Sequence, residues 1–302
     1  MLERIISLTH KCNQKCLFCF IEETRVFAPD IENVKKQIAA AGKDGALNIT
    51  FSGGEPSLTG ELLLEAISFA RGLGVFQNVG IQTNGILFDN PGRVADLKAS
   101  GLNHAFVPLH SHIPALSDYL TQAEGTWKRT VGALQLLNSS QIPVSLNTVI
   151  NALNFRYLTG YLDFVSKELC FIEKLNLSVV VPSGRATQNK WIVPRYGELA
   201  PFIQQAHLQC REKGIGSINP LCGMPACYLP GMEDITMEYS LVPEINEARL
   251  AVDANVKNAL AGKTKSPLCG ECAHNGRCLG VFRSYHEIHG FQDIHFDSGI
   301  LG

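Results

Sequence analysis

The feature that most constrains the fold is an alternation of strand and helix patterns that runs through the first two thirds of the chain. Each short apolar or alternating run is followed by a segment whose apolar residues recur at helical spacing. The strand patterns cover residues 4–8, 47–51, 75–82, 105–112, 143–150 and 175–181. Six strand–helix units in succession predict an α/β fold with a parallel sheet, and right-handed crossovers curl that sheet into a partial (β/α)6 TIM-like barrel.

Three cysteines follow the first strand pattern at x3 and x2 spacing: Cys12, Cys16 and Cys19. Three thiolates on one short loop can hold three irons of a four-iron, four-sulfur (4Fe-4S) cluster, which leaves the fourth iron open to a ligand. The residues alone also allow two alternatives. A structural zinc site could take His10 as its fourth ligand, or the three thiols could be unrelated buried side chains.

The later strand patterns also end in residues suited to ligand binding, and in this fold class ligands bind at the carboxyl ends of strands. Two glycines after the second strand let a ligand approach the main chain, with a carboxylate beside them. A proline-capped turn, an Asn-Gly turn and hydrogen-bonded structural histidines are the alternatives. The residues concerned are Gly53, Gly54, Glu55 and Pro56 after the second strand, Thr83, Asn84 and Gly85 after the third, and His110 and His112 at the end of the fourth.

This pattern resembles the radical S-adenosylmethionine (SAM) enzymes, whose signature has the same cysteine spacing and an aromatic residue before the last cysteine. The resemblance implies that SAM chelates the open iron of the cluster. The reduced cluster would then cleave SAM, and a 5'-deoxyadenosyl radical would abstract hydrogen from the substrate. The resemblance covers residues 1–205, which we expect to form the radical SAM core.

The same resemblance assigns the SAM contacts. Phe18 would lie against the adenine, and Gly53, Gly54, Glu55 and Pro56 would bind the methionine amino group. Arg185, in a Pro-Ser-Gly-Arg-Ala segment after the sixth strand, would approach the SAM carboxylate. A guanidinium fork suits that carboxylate, although a surface ion pair is the structural alternative. The other expected contacts are Thr83, Asn84 and Asn147.

The remaining residues, 206–302, carry five cysteines in glycine- and proline-marked segments: Cys222, Cys227, Cys269, Cys272 and Cys278. Little apolar periodicity accompanies them, which favours a small region held together by metal. The region resembles the twitch or SPASM extensions of radical SAM enzymes, although Phe282 stands where a further cysteine is usual. Because four thiolates saturate a cluster, we expect one auxiliary 4Fe-4S cluster, with a zinc ribbon as the alternative.

A thiol outside the clusters bears on the type of reaction. In radical SAM epimerases such a cysteine returns hydrogen to the substrate radical, so Cys210, or Cys227 if it is not a ligand, is a candidate hydrogen donor. In dehydrogenases and crosslinking enzymes the auxiliary cluster takes the leftover electron or binds substrate. The sequence does not decide between these reactions. Cys170, between Leu169 and Phe171, is expected in the core.

Composition excludes several classes of partner. A net charge of −2 gives no electrostatic case for nucleic acid or for an acidic membrane surface. No apolar run approaches the ~20 residues that span a bilayer, and the start lacks a secretory pattern. We therefore expect a cytoplasmic protein, in which ten cysteines indicate metal or redox chemistry rather than disulfides.

The predicted function is hydrogen abstraction from a carbon of a small peptide or an aminoglycoside-like metabolite, giving epimerisation, oxidation or crosslinking. Flavodoxin or ferredoxin would supply the electron. No amino-terminal leader-binding domain is evident, so a separate leader-binding protein is expected if the substrate is a ribosomal peptide. The rival interpretation is a non-catalytic iron-sulfur or zinc protein that binds a partner through its carboxyl-terminal region.

Overall fold

Strands and helices alternate along the chain in the computed structural model, which describes residues 3–21, 30–217, 224–232 and 262–292. The first half contains β1 (Glu3–Thr9), α1 (Ile31–Lys43), β2 (Asn48–Gly53), α2 (Glu61–Gly72), β3 (Asn78–Gln82), α3 (Pro91–Ser100), β4 (His104–Pro108), α4 (Pro114–Thr121) and α5 (Thr126–Ser139). The second half contains β5 (Val144–Ile150), α6 (Leu158–Glu168), β6 (Lys174–Val179), α7 (Arg185–Gln188), α8 (Tyr196–Glu212), β7 (Gly216–Ser217), β8 (Lys263–Thr264), β9 (Val281–Phe282) and α9 (Arg283–His289).

The main sheet is parallel throughout and follows the chain order from β1 to β7, so each strand pairs with its successor. Helices connect the strands, and β1 and β7 form the edges of the sheet. The predicted partial TIM-like barrel is confirmed. Because all strands run in one direction, their carboxyl ends meet at a single edge.

Alternate residues of the strands divide into an apolar face and a polar face. Apolar positions such as Ile49, Phe51 and Leu146 are buried beneath the helices. The positions between them carry polar side chains that bond from one strand to the next. These bonds join Thr50 Oγ1 to Glu3 Oε1 at 2.8 Å, Ser52 Oγ to Gln82 Oε1 at 2.8 Å, and His104 Nε2 to Ser145 Oγ at 3.0 Å. These polar side chains therefore satisfy one another between neighbouring strands.

Six elements were not predicted: the helices α4, α7 and α9 and the short strands β7, β8 and β9. The predicted strand 105–112 ends early because the chain turns into α4, with Pro114 at the first position, where a missing N–H costs little. The helix predicted at 202–213 begins instead at Tyr196 and contains Pro201. The expected boundary at residue 205 thus falls inside α8, and the division into two regions stays a prediction.

The carboxyl-terminal segment packs onto the start of α8. Strands β8 and β9 pair antiparallel, and α9 follows β9 directly. The rings of Tyr285 and Tyr196 stack with their centroids 3.8 Å apart, and the Tyr196 N–H donates to the Tyr285 hydroxyl at 2.9 Å. His289 Nε2 donates to the Val193 carbonyl at 3.0 Å. Among the described helices, none is long and apolar enough to cross a bilayer.

Candidate active site

The three cysteines of the first motif lie on the loop after β1, at the carboxyl edge of the sheet. Their thiols are close enough for their charges to interact. Burial first, and then the neighbouring Cys19 and Cys12 thiols, raise the pKa of Cys16 to about 12. Such thiols ionise together only when a metal offsets their charges. Three thiols in one loop fit a cluster that keeps one iron open.

Two neighbouring helices hold the backbone of this loop. From the end of α4, the carbonyls of Thr121 and Leu120 accept the N–H groups of Lys15 and Leu17, each at 3.0 Å. From α7, the Arg185 N–H donates to the Cys19 carbonyl at 2.9 Å, and its Nη1 donates to the Cys16 carbonyl at 3.4 Å. Arg185, expected at the SAM carboxylate, therefore also fixes the cysteine loop.

Gly184 permits this contact. Its φ is +54°, and a Cβ there would lie 2.4 Å from the Cys19 carbonyl oxygen and 2.6 Å from Phe20 Cα. Only a residue without a side chain fits at this distance. The main chain of the Pro-Ser-Gly-Arg-Ala segment thus packs directly against the main chain of Cys19, the last cysteine of the motif.

Gly53 and Gly54 allow the main chain after β2 to approach the main chain after β1 closely. A Cβ on Gly53 would lie 2.2 Å from the Thr9 carbonyl, and one on Gly54 would lie 2.3 Å from the Lys11 carbonyl. Gly54 N–H donates to the Thr9 carbonyl at 2.6 Å, and Glu55 N–H donates to that of Lys11 at 2.8 Å. The glycines thus admit the first residues of the cysteine loop, and their expected contact with SAM stays a prediction.

Glu55 is fully buried and bonded within the protein. Its Oε1 accepts the Ser57 N–H at 3.0 Å and the Thr83 hydroxyl at 2.6 Å, and its Oε2 accepts the Asn84 N–H at 2.7 Å. Burial raises the pKa of Glu55, and these hydrogen bonds oppose that rise. The carboxylate therefore ties the ends of β2 and β3 together, beside the buried Pro56.

Asn84 extends this connection to the cysteines. Its Nδ2 donates to Asn13 Oδ1 at 2.7 Å and lies 4.0 Å from Cys12 Sγ. Both Thr83 and Asn84 are buried, and Gly85 has a φ of +77°. The segments after β1, β2 and β3, which the sequence predicted to converge, form one hydrogen-bonded unit.

A cavity of about 880 Å³, including its open mouth, lies between the cysteine loop and strands β4 to β6. Cys16, Cys19 and Phe18 line one wall, and Asn147 and Ser178 line the other. None of the described residues that line it is an Asp, Glu, Lys or Arg. Two predicted cofactor residues, Phe18 and Asn147, thus share a cavity with two cysteines of the motif.

Residues that were not predicted complete this cavity. Asn147 Oδ1 accepts Asn176 Nδ2 at 3.1 Å and Ser178 Oγ at 3.2 Å. The alternation of Asn176 and Ser178 with leucine in β6 was the available signal. Phe20, which is 72% exposed, lies at the cavity beside Cys19. Of the two histidines after β4, only His110 lines this cavity.

Four of the carboxyl-terminal cysteines line a second cavity, of about 460 Å³ including its open mouth: Cys227, Cys269, Cys272 and Cys278. Burial, followed by the charges of the other three thiols, raises the pKa of Cys227 to about 12. In the described ranges, no three His, Cys, Asp or Glu side chains converge tightly enough for a single metal ion. The four thiols line one common space. Cys222 falls outside the described residues.

The other two cysteines lie away from both cavities. Cys210 is buried in α8 near Tyr161 of α6, and burial raises its pKa to about 11. It lines neither cavity. Cys170 is exposed, so its expected place in the core is wrong. The chain leaves α6 at Leu169, and Leu169 and Ile172 take the buried positions on either side.

Comparison with known proteins identifies the family. A model of the radical SAM superfamily matches residues 6–165, which include the cysteine loop and residues 53–56. The chain belongs to this superfamily. Radical SAM proteins use SAM and a 4Fe-4S cluster, and the cysteine loop has the donor set for that cluster.

Two curated relatives illustrate the breadth of the superfamily. The chain is 31% identical over 153 residues to "PqqA peptide cyclase" of Gluconobacter oxydans, covering 50% of this chain and 42% of that protein. It is 24% identical over 303 residues to "GTP 3',8-cyclase" of Peptoclostridium acidaminophilum, covering 91% and 85%. The chain thus spans about two fifths of the length of the peptide cyclase.

Among solved structures, the fold is similar to that of Streptococcus suis SuiB bound to S-adenosylmethionine. The TM-score is 0.66 at 15% identity, over 98% of this chain and 76% of SuiB. A second structure of SuiB is bound to its precursor peptide SuiA, with a TM-score of 0.65. At this identity the likeness establishes the fold, including the carboxyl-terminal part of the described chain.

Proposed function

We propose that this protein binds a 4Fe-4S cluster through Cys12, Cys16 and Cys19 and uses SAM to remove hydrogen from a carbon of a peptide. The observation that carries the proposal is the shared cavity of the cysteine loop, Phe18 and Asn147. When bound, the cluster and SAM supply a carbon radical that abstracts hydrogen. The protein's own residues bind SAM, orient the substrate and keep water away.

We assign the SAM contacts to the residues at the cavity and the loop. Phe18 offers a buried ring for the adenine, and Asn147 offers a side-chain amide. Arg185 lies at the cysteine loop, where its guanidinium suits a carboxylate. Glu55 has a positioning role, because all three of its hydrogen bonds hold Ser57, Thr83 and Asn84. Gly53, Gly54 and Pro56 bring the backbone into place.

The uncharged cavity wall supports a peptide substrate. Valine and proline side chains from β4 to β6 alternate there with Asn147 and Ser178, which suits an apolar side chain joined to amide groups. A triphosphate would need cationic partners. PqqA peptide cyclase and SuiB, whose structure holds the precursor peptide SuiA, are both associated with peptides, which agrees with this choice.

GTP is the second candidate substrate, because one relative that matches 91% of this chain is a GTP 3',8-cyclase. The two candidates are separated by incubating the reduced enzyme and SAM with either GTP or a pool of short peptides. We expect the peptides to increase formation of 5'-deoxyadenosine and GTP to leave it unchanged. Stimulation by GTP alone would overturn the peptide proposal.

We further propose an auxiliary 4Fe-4S cluster at Cys227, Cys269, Cys272 and Cys278. Four thiols saturate such a cluster, and they surround a common cavity. Zinc is the alternative metal, because four cysteine sulfurs also suit a tetrahedral zinc site. This proposal makes Cys227 a ligand. Iron and zinc analysis of the purified protein separates the two metals.

We favour net oxidation or crosslinking over epimerisation. Cys210 lies in the core and Cys227 among the auxiliary thiols, so neither candidate hydrogen donor lies at the substrate cavity. An auxiliary cluster can accept the electron that oxidation releases, and flavodoxin or ferredoxin would reduce the first cluster. Mass spectrometry of the product formed in deuterated water tests this choice. Loss of two hydrogens supports oxidation, whereas one carbon-bound deuterium without other change supports epimerisation.

A further inference from the structure

His110 is a buried polar side chain of the cavity to which the proposed function gives no role. It follows β4 by two residues and is 4% exposed. Its ring meets that of Phe18 edge to face, with the centroids 4.8 Å apart and the planes at 81°. Both rings line the space beside Cys16 and Cys19. His110 is therefore placed next to the expected adenine site.

The protein backbone fixes the tautomer of this histidine. The main-chain N–H of Val149 in β5 donates to His110 Nδ1 at 3.2 Å. Because Nδ1 accepts, the proton of the neutral ring is on Nε2. Burial lowers the pKa of His110 to about 4, so the ring is neutral at physiological pH. The His110 carbonyl is itself held by Asn154 Nδ2 at 2.9 Å, which limits movement of the backbone.

Nε2 is available to a ligand. Among the described residues, His110 forms no side-chain hydrogen bond besides the one from Val149. The ring lines the cavity, so a molecule bound there can accept the Nε2 proton. The neutral His110 ring in a cavity without charged side chains favours an uncharged acceptor, because an anionic ligand would have no cationic side chain beside it there. The peptide carbonyl is such an acceptor.

We propose that the Nε2–H of His110 donates a hydrogen bond to a carbonyl oxygen of the peptide substrate and so orients it beside the SAM site. This inference rests on the proposed function, since it takes the substrate to be a peptide. Val149 and Val179 of the same wall provide apolar contact for the adjoining side chain. The hydrogen bond and this contact together fix which carbon faces the SAM site.

The test uses the reconstituted, reduced enzyme with SAM and a defined probe. The probe is a pool of N-acetylated tripeptide amides with perdeuterated Val, Leu or Phe at the centre. Two quantities are measured: transfer of deuterium into 5'-deoxyadenosine by mass spectrometry, and binding of the probe by equilibrium dialysis. We expect His110→Phe to lower both about tenfold, because it removes one buried hydrogen bond.

Three controls isolate the hydrogen bond. His110→Gln can accept from Val149 through its carbonyl and donate through its amide, so it should restore most of both quantities. His112→Phe makes the same change two residues away and outside the cavity lining, and it should behave as wild type. SAM cleavage in the absence of the probe should be unchanged in His112→Phe. Iron content and melting temperature show whether each variant has folded.

A modified probe keeps the test decisive even if His110→Phe does not fold. Replacing the carbonyl of the central residue by an alkene should weaken binding to wild type about tenfold and should not weaken binding to His110→Phe further. Equal binding of both probes to wild type would overturn the inference.

The outcomes also separate this inference from the proposed function. If wild type transfers no deuterium from any peptide, the peptide assignment fails and the role of His110 fails with it. If wild type transfers deuterium and His110→Phe equals it, the proposed function stands and only the role of His110 is overturned.

Discussion

Substituting Glu55 by glutamine tests how the fold holds the cysteine loop, because its hydrogen bonds divide unequally between the two oxygens. Oε1 accepts from Ser57 and Thr83, whereas Oε2 accepts only from the Asn84 N–H. Glutamine can keep its carbonyl at the first pair and place its NH2 against the Asn84 N–H. That buried donor then has no acceptor, which costs ~1–3 kcal/mol of unfolding free energy. The reverse orientation would leave two donors without an acceptor.

The loss should extend to the cluster. Asn84 contacts Asn13 at 2.7 Å and lies 4.0 Å from Cys12 Sγ, so a displaced Asn84 moves the first thiol of the motif. We expect Glu55→Gln to lower the melting temperature by a few degrees. We also expect the protein to lose the iron of the first cluster sooner when a chelator is added.

Anaerobic thermal melts and the time course of iron loss to a chelator measure both effects. Glu61→Gln is the matched control, because Glu61 is exposed in the first turn of α2. It should lower neither quantity appreciably. If Glu55→Gln and Glu61→Gln give the same melting temperature and the same rate of iron loss, Glu55 does not tie the strand ends to the cysteine loop.

Three further substitutions test other parts of the account. Gly184→Ala should bind the iron of the first cluster less tightly, because its Cβ would lie 2.4 Å from the Cys19 carbonyl oxygen. Gly214→Ala, at a similar φ but with open space around it, should retain iron as wild type does, and equal iron retention in the two variants would contradict this. Cys227→Ser should remove roughly four of the eight irons per chain and leave the first cluster intact, as measured by iron analysis and electron paramagnetic resonance. If the variant keeps all eight irons, Cys227 does not bind an auxiliary cluster. As the pH falls from about 6.5 towards 4, His110 takes up a proton in the unfolded chain but stays neutral in the folded protein, so wild type should lose up to ~3 kcal/mol of stability over that window. His110→Gln should lose less, as measured by denaturant unfolding at each pH. If the stability of both proteins falls equally with pH, His110 is not buried as described.

The sequence predicted where the site lies because a parallel sheet has a simple geometry. Once six strand–helix units are recognised, the residues after each strand must meet at one edge. Cys12, Asn84, Asn147 and Arg185 are separated by dozens of residues, and yet they could be placed together for this reason. The short strand β7 was not predictable, because two residues carry no periodicity.

The roles of individual residues were harder to predict than their places. The motif predicted that Glu55 contacts SAM, which stays a prediction. The structure adds that Glu55 accepts from Ser57, Thr83 and Asn84, a hydrogen-bond pattern that sequence spacing does not contain. The tautomer of His110 likewise depends on a backbone N–H in the next strand. Such contacts follow from strand register, which a sequence pattern fixes only loosely.

The grouping of the auxiliary thiols also depends on tertiary structure. Cys269, Cys272 and Cys278 are near one another in sequence, but Cys227 precedes them by more than forty residues and joins them around one cavity. The sequence left open which of the five cysteines is spare. Composition indicated metal chemistry, and the fold brings four of the thiols around one cavity, while Cys222 lies outside the described residues.

The most direct test of the central claim is the formation of 5'-deoxyadenosine from SAM by the anaerobically reconstituted and reduced protein, compared with Cys16→Ala. We predict that wild type forms 5'-deoxyadenosine with four irons bound in the first cluster. Cys16→Ala should form none while it keeps the auxiliary cluster. If wild type with an intact first cluster forms no 5'-deoxyadenosine in the presence of peptides or GTP, or if Cys16→Ala forms as much as wild type, the cavity beside the cysteine loop is not a SAM-cleaving site.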